Sequence, residues 1–299
     1  MQVQANGINI EVETIGSEQG EPLLLIMGLG GQMTRWPDAL CAGFVRHGFR
    51  VIRFDNRDVG LSKSFDEAGM PDIAAVLKAR AEGRTPDLAY TLDDMASDAV
   101  GVLDALGVAK AHVVGASMGG MIAQLVAADH PERTISLTSI MSTTGNPALP
   151  PATPEAMAVL STPAPHPSDE EAYAAHGIKN ARIIGSPGYP FEEAQMRERL
   201  LSDAKRAYNP VGVMRQYAAV IANGDRRPKL AKITAPTVVL HGADDPLVPV
   251  SGGRDTADNI AGSELRIIPG MGHDLPVQLY EKIVEAVCAA RDRARALAA

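Results

Sequence analysis

Val113-Val114-Gly115-Ala116-Ser117-Met118-Gly119-Gly120-Met121 is the stretch on which the reading of this chain turns. His112 to Val114 is a short apolar strand, and Met118 to Asp129 is a helix of small and apolar residues that stops before Pro131. Between them stands G-x-S-x-G. A passage from strand to helix within five residues demands so sharp a turn that Ser117 is expected to take a strained backbone conformation. Side chains two positions before and after the serine would collide with neighbouring backbone, which accounts for Gly115 and Gly119. The turn lifts the hydroxyl into the open. It also leaves the peptide N–H of Met118 at a helix start, where it can face a developing negative charge. An idle serine in a glycine-rich turn is the competing reading, and the flanking strand and helix weigh against it.

The pattern around this turn repeats. Val3 to Ile15 alternates apolar and polar residues about Asn6-Gly7, a dipeptide suited to a tight hairpin. Leu23 to Met27 and Val51 to Phe54 are continuous apolar runs, as strands buried on both faces should be. Pro37 to His47 has helical spacing and ends at Gly48. Leu92 to Leu106 is amphipathic, with Thr91 and Asp94 as a capping start and Gly107 as its stop. Ile135 to Met141, Pro236 to Leu240 and Leu265 to Ile268 read as further strands, and Val277 to Leu297 as a closing helix. Strands alternating with helices predict an α/β fold, with a mostly parallel central sheet flanked by helices on both faces.

Between Gly145 and Arg227 the strand signals vanish, prolines cluster, and helical stretches such as Phe191 to Ala207 take over. Because the segment lies between two core strands it is read as an insertion. The expected division is a core domain of residues 1–144 and 228–299, with 145–227 as a helical cap over the edge of the sheet where open α/β sheets bind ligands.

Composition limits the partners. The 299 residues are 45% hydrophobic and 21% charged, with ample material for a core and none of the polarity of a disordered chain. Twenty-eight basic against 36 acidic residues leave −8, which argues against nucleic acid or an anionic membrane as partner. No apolar run approaches the roughly 18 residues of a membrane span. The N-terminus shows no secretory pattern, so a cytoplasmic protein is expected. Cys41 and Cys288 are the only cysteines, too few for a metal framework and read as reduced. Neither a metal nor a cofactor is expected. Gly28-Leu29-Gly30-Gly31-Gln32-Met33 carries methionine where a dinucleotide loop needs its third glycine.

A serine hydroxyl needs a base to take its proton and a third group to orient that base. Of histidines 47, 112, 130, 166, 176, 241 and 273, only His241 and His273 stand at the C-terminal ends of strands after Ser117. His273 follows a strand and a glycine-rich loop able to reach over the sheet, and is the expected base. His241 sits directly on a strand end, where it supports the loop carrying the acid. In His241-Gly242-Ala243-Asp244-Asp245-Pro246-Leu247-Val248-Pro249 the spacing favours Asp245 as the acid, with Asp244 the second choice. The backbone N–H of Leu29, with that of Gly30 behind it, is the expected partner of Met118 N–H in an oxyanion hole. Methionines 27, 33, 118, 121, 141 and 271 cluster near these loops and suggest an apolar pocket. Tyr173, Tyr189, Phe191, Tyr208 and Tyr217 are candidates for its lining.

Several segments together resemble the α/β-hydrolases, and within them the bacterial methylesterases related to aclacinomycin methylesterase. They are Leu23 to Gly30, Trp36-Pro37-Asp38, Val51 to Ser62, Ala111 to Gly119, and Ile268-Pro269-Gly270-Met271-Gly272-His273-Asp274-Leu275-Pro276. Met27-Gly28 stands where many of the wider superfamily have His-Gly, a departure those methylesterases share. The resemblance implies that Ser117, Asp245 and His273 form the triad and that Leu29 and Met118 supply the oxyanion hole. Asp55 to Ser62 also recurs in the superfamily, and is read as a loop held by its own Asp and Arg pairings beneath the oxyanion loop.

The expected activity is therefore hydrolysis of a small, apolar carboxylic ester through an acyl-enzyme, as a carboxylesterase or methylesterase. A lactonase, carbon–carbon bond hydrolase, aminopeptidase or perhydrolase on the same residues, or a slow-turnover receptor, are the alternatives. Dehalogenase and epoxide hydrolase chemistry is disfavoured, because those relatives carry aspartate at the position of Ser117.

Overall fold

The computed structural model describes residues 1–298. An eight-stranded sheet runs through the molecule in the order β1-β2-β4-β3-β5-β6-β7-β8. The strands are β1 (Gln2–Ala5), β2 (Ile8–Ile15), β3 (Glu21–Ile26), β4 (Phe49–Phe54), β5 (Ala111–Ala116), β6 (Thr134–Ile140), β7 (Thr237–Gly242) and β8 (Glu264–Ile268). β1 and β2 form an antiparallel hairpin, with Asn6 and Gly7 both at positive φ (50° and 77°). β2 pairs antiparallel with β4, and every later pairing is parallel.

The apolar runs have the physical role their pattern predicts. Leu24 and Ile26 of β3 pack with Ile52, Phe54 and Val113 on one face, whereas Leu23 and Leu25 pack with Val51, Val114 and Ile140 on the other. Helices α1 (Asp38–Arg46), α2 (Ile73–Ala81), α3 (Leu92–Ala105) and α4 (Met118–Asp129) follow in chain order. α3 and α4 cover the first face. The second is covered by α1 and by the C-terminal helix introduced below. α3 starts at a full capping box, Thr91 with Asp94, as its sequence predicts.

Between β6 and β7 the chain forms α5 (Pro154–Ser161), α6 (Glu170–Ile184), α7 (Glu193–Arg206), α8 (Pro210–Asn223) and the short α9 (Arg227–Leu230), with no strand among them. α6 packs on α5 and α7, and α8 packs on α2 and α3. The core closes with α10 (Val250–Asp258) and α11 (Tyr280–Ala298). No described helix is long and apolar enough to cross a membrane.

The Asp55–Ser62 loop departs from the pairing expected of it. Its charges do not pair with one another. Arg57 donates to both carboxylate oxygens of Asp98 on α3, at 2.6 and 2.7 Å. Asp58 receives both Nε and Nη2 of Arg215 on α8, at 2.8 and 2.7 Å, together with Tyr90 Oη at 2.6 Å and Phe65 N–H at 2.8 Å. Asp55 pairs with Arg206 of α7 at 2.7 Å. A planar guanidinium matches a carboxylate two bonds at a time, as Arg57 does with Asp98 and Arg215 with Asp58. The partners therefore arrive from distant helices, and two of them come from the insertion. Burial alone would raise the Asp58 carboxyl, but Arg215, Phe65 N–H and Tyr90 outweigh it and hold it below the ordinary carboxylate range.

Candidate active site

Ser117 lies at the junction of β5 and α4 with φ 56° and ψ −121°, a conformation that L-residues rarely adopt. A turn this tight requires bare backbone around it. A Cβ on Gly115 would lie 2.0 Å from Gly119 O, and one on Gly119 would lie 2.1 Å from Ile26 O. Ser117 N–H donates to Ile140 O at 2.9 Å, tying the turn to β6.

His273, in the loop after β8, brings Nε2 to 2.9 Å from Ser117 Oγ, across 156 residues of sequence. Its Nδ1 lies 2.7 Å from Asp245 Oδ2. A carboxylate only accepts, so Nδ1 carries the proton and Nε2 is free to accept from the serine hydroxyl. Asp245 Oδ1 accepts the backbone N–H groups of Leu247 (2.9 Å) and Val248 (2.8 Å). Its side chain has no exposed surface. Asp244 points elsewhere and accepts Gly270 N–H at 2.7 Å. His241 Nε2 donates to Val248 O at 2.8 Å and stands 3.7 Å from Asp245 Oδ2. Burial pushes its pKa down, so it remains a neutral brace of the acid loop.

The loop after β3 passes beside the serine. Gly30 N–H is already engaged, donating to Gln216 Oε1 at 2.9 Å, and Gln216 Nε2 donates to Arg57 O at 2.7 Å. Among the described residues no acceptor stands against Leu29 N–H or Met118 N–H. Of the two expected donors in this loop, Gly30 is thus spent on α8, and Leu29 keeps its N–H.

Ser117, Leu29, Met118 and His273 open into one cavity of about 780 Å³. Met27, Met118, Met121 and Met141 line it, joined by Met157 and Met196 from the insertion, whereas Met33 and Met271 are buried outside it. Phe191 and Tyr217 line it as expected of them. Tyr173 and Tyr208 pack edge-on against each other instead, and Tyr189 reaches Pro269 O. Sequence reasoning missed Gln216, Arg199, Asp274 and Tyr280. Asp274 alone carried a signal, standing next to His273; Gln216 meets Gly30 across 186 positions of sequence. Burial raises the Asp274 carboxyl above its ordinary range, against the lowering effect of its Ser186 hydrogen bond. Among the described residues no group of three His, Cys, Asp or Glu side chains is placed to hold a metal ion.

A doubly covered, mostly parallel sheet with a strained serine on its central turn defines a class, and the chain belongs to the α/β-hydrolase family: the family described as "alpha/beta hydrolase fold" matches residues 21–278. Among individual proteins, it is similar to the rhodomycin D methylesterases DauP of Streptomyces sp. (strain C5) and DnrP of Streptomyces peucetius. Identity is 32% and 30%, in each case with 93% of both chains covered. In three dimensions it is similar to the esterase EaEST of Exiguobacterium antarcticum, with a TM-score of 0.72, 22% identity, and 98% and 99% of the two chains covered.

Proposed function

We propose that this enzyme hydrolyses carboxylic esters, with Ser117 as nucleophile, His273 as base and Asp245 as the group that orients it. The observation that carries the reading is the continuous chain Ser117 Oγ–His273 Nε2 at 2.9 Å and His273 Nδ1–Asp245 Oδ2 at 2.7 Å. Similarity to two methylesterases over nearly the whole chain supports an ester as the substrate.

Ser117 Oγ attacks the ester carbonyl carbon as its proton passes to His273 Nε2. The carbonyl oxygen takes up the negative charge between Leu29 N–H and Met118 N–H, which need no reorganisation because both are backbone groups. The imidazolium, held by Asp245, returns the proton to the leaving alkoxide, and the acyl group stays on Ser117. Water then attacks the acyl carbon with His273 again as base; the acid departs and Ser117 recovers its proton. The helices of residues 145–227 act as a cap, contributing Met157, Phe191, Met196 and Tyr217 to a largely apolar pocket. We assign the protein to the cytoplasm, where Cys41 and Cys288, both free, stay reduced.

The test is hydrolysis of p-nitrophenyl esters from acetate to dodecanoate. Saturable turnover with an optimum set by acyl length is expected. No turnover of any member, with no phosphonylation of Ser117 by a fluorophosphonate, would end the esterase reading.

A further inference from the structure

One cation in the cavity wall has no ion-pair partner. Arg199, on α7, lines the same cavity as Ser117. Its Nε is enclosed and has no acceptor, and its Nη2 touches only Met196 Sδ of its own helix, at 3.2 Å. Among the described residues no carboxylate comes within ion-pair distance of it, whereas Arg35 on the same wall has Asp203.

The nearby charges are already committed. Arg35, also in the cavity wall, is ion-paired with Asp203, and Asp203 further accepts Thr34 Oγ1 at 2.9 Å. Asp274 accepts the Ser186 hydroxyl and forms no ion pair with Arg199, although each feels the other's charge. Burial, then the field of Arg35, lower the Arg199 pKa from its ordinary value, yet a guanidinium stays charged at neutral pH.

A guanidinium in a largely apolar cavity wall, with its enclosed Nε lacking any acceptor, calls for a partner. A cavity group of this kind gains its partner from whatever occupies the cavity. Arg35 is ion-paired with Asp203, Glu192 is exposed and Asp274 accepts the Ser186 hydroxyl, so among the described residues Arg199 is the cation of the cavity wall with no carboxylate within ion-pair distance. The guanidinium fork suits a planar carboxylate.

We propose that Arg199 is an anion-recognising subsite of the substrate pocket, and that the enzyme acts on esters that carry a free carboxylate elsewhere in the same molecule. A half-ester of a dicarboxylic acid is the simplest example. The substrate class deepens the esterase reading and rests on it, whereas the subsite itself does not.

The experiment compares mono-p-nitrophenyl adipate with methyl p-nitrophenyl adipate, which differ only in the distal charge, after subtraction of spontaneous hydrolysis. Wild type is expected to favour the acid in kcat/KM. Arg199→Met is expected to shrink that acid-to-neutral ratio by about 10- to 100-fold, the worth of a charge-assisted hydrogen bond. Arg199→Lys, which keeps the charge and loses the fork, should retain part of the ratio. A wild type without preference for the acid, or a ratio untouched by Arg199→Met, overturns the proposal.

Two readouts separate failure modes. Ligand-free Arg199→Met should have a Tm equal to or above wild type, because the unpaired charge has gone. A large fall would make Arg199 structural and refute the subsite. If neither ester is hydrolysed, the esterase reading fails on its own. Calorimetric binding of monomethyl adipate then decides the subsite: binding that Arg199→Met abolishes supports it, and no binding to wild type refutes it.

Discussion

Gln216 ties the insertion to the catalytic loop, and replacing it by leucine tests how far the oxyanion hole depends on α8. The side chain is fully buried. It accepts Gly30 N–H at 2.9 Å and donates to Arg57 O at 2.7 Å. Stranding a buried polar partner costs about 1–3 kcal/mol each. Gly30 borders the cavity, where water can replace the lost acceptor, so its share falls at the low end; Arg57 O is enclosed and bears the larger share. A loss of roughly 2–4 kcal/mol in stability is therefore expected for Gln216→Leu. The effect on turnover has a separate source. Gly30 follows Leu29, whose N–H is the proposed donor, and removing such a donor outright costs about 10²–10³ in kcat. Loosening the loop rather than deleting the donor should cost about 10-fold, mainly in kcat because the contact matters when charge develops. Gln216→Glu separates the two bonds. Its carboxylate still accepts from Gly30 but cannot donate to Arg57 O, so kcat should survive better than stability does. Urea unfolding and steady-state kinetics on p-nitrophenyl butyrate measure both. Gln216→Leu with wild-type kcat and reduced stability would refute the dependence of the oxyanion loop on this contact.

Other substitutions probe independent parts of the account. Asp245→Asn removes the acceptor that sets the His273 tautomer and should lower kcat by about 10⁴ with the fold intact, as circular dichroism would check; a loss under tenfold contradicts the role of Asp245. Gly119→Ala places a Cβ 2.1 Å from Ile26 O, so it should fail to accumulate as folded protein; a soluble, active variant would show that the turn has slack. Asp58→Ala leaves the buried Arg215 with only the exposed Asp66, at 3.3 Å, and Gly69 O, and should cost about 3 kcal/mol in urea unfolding; a loss below 1 kcal/mol would show that Asp66 or water compensates. His112 is buried and its pKa is pushed down from 6.5 to about 4, chiefly by desolvation, against the pull of Glu21. The unfolded chain therefore binds a proton that the folded one refuses. Stability should fall as pH drops from 6.5 towards 4, by up to about 3 kcal/mol, and this contribution should level off below that window. His112→Phe should flatten this part of the urea–pH profile, and an unchanged slope would assign it elsewhere.

Much of the site was legible because its constraints are local. The turn at Ser117 tolerates only glycine at 115 and 119, and that steric demand is written within five residues. Thr91 and Asp94 announce the start of α3 for the same reason, since a cap satisfies donors three residues away. Chain order and strand ends set His241 and His273 apart from five other histidines, the glycine-rich loop favoured His273 of the two, and spacing favoured Asp245 over Asp244. Legibility failed where contacts are long-range. Nothing near Asp55 or Asp58 in the sequence points to Arg206 or Arg215, because those arginines meet the loop only once α7 and α8 have docked. Gln216 and Arg199 are ordinary helical residues until their surroundings are known. α2 was missed because its apolar residues follow no clear face, and only Val76 and Ala79 are buried.

The central claim is that Ser117 performs the chemistry, and Ser117→Ala tests it most directly. Wild type and variant are compared on the best p-nitrophenyl ester of the acyl series, alongside fluorophosphonate labelling located by peptide mass spectrometry. The account predicts turnover by wild type with the label on Ser117, and a fall of about 10⁶ in kcat for a folded Ser117→Ala that takes no label. Retained turnover in the variant, or a label on another residue, would contradict it.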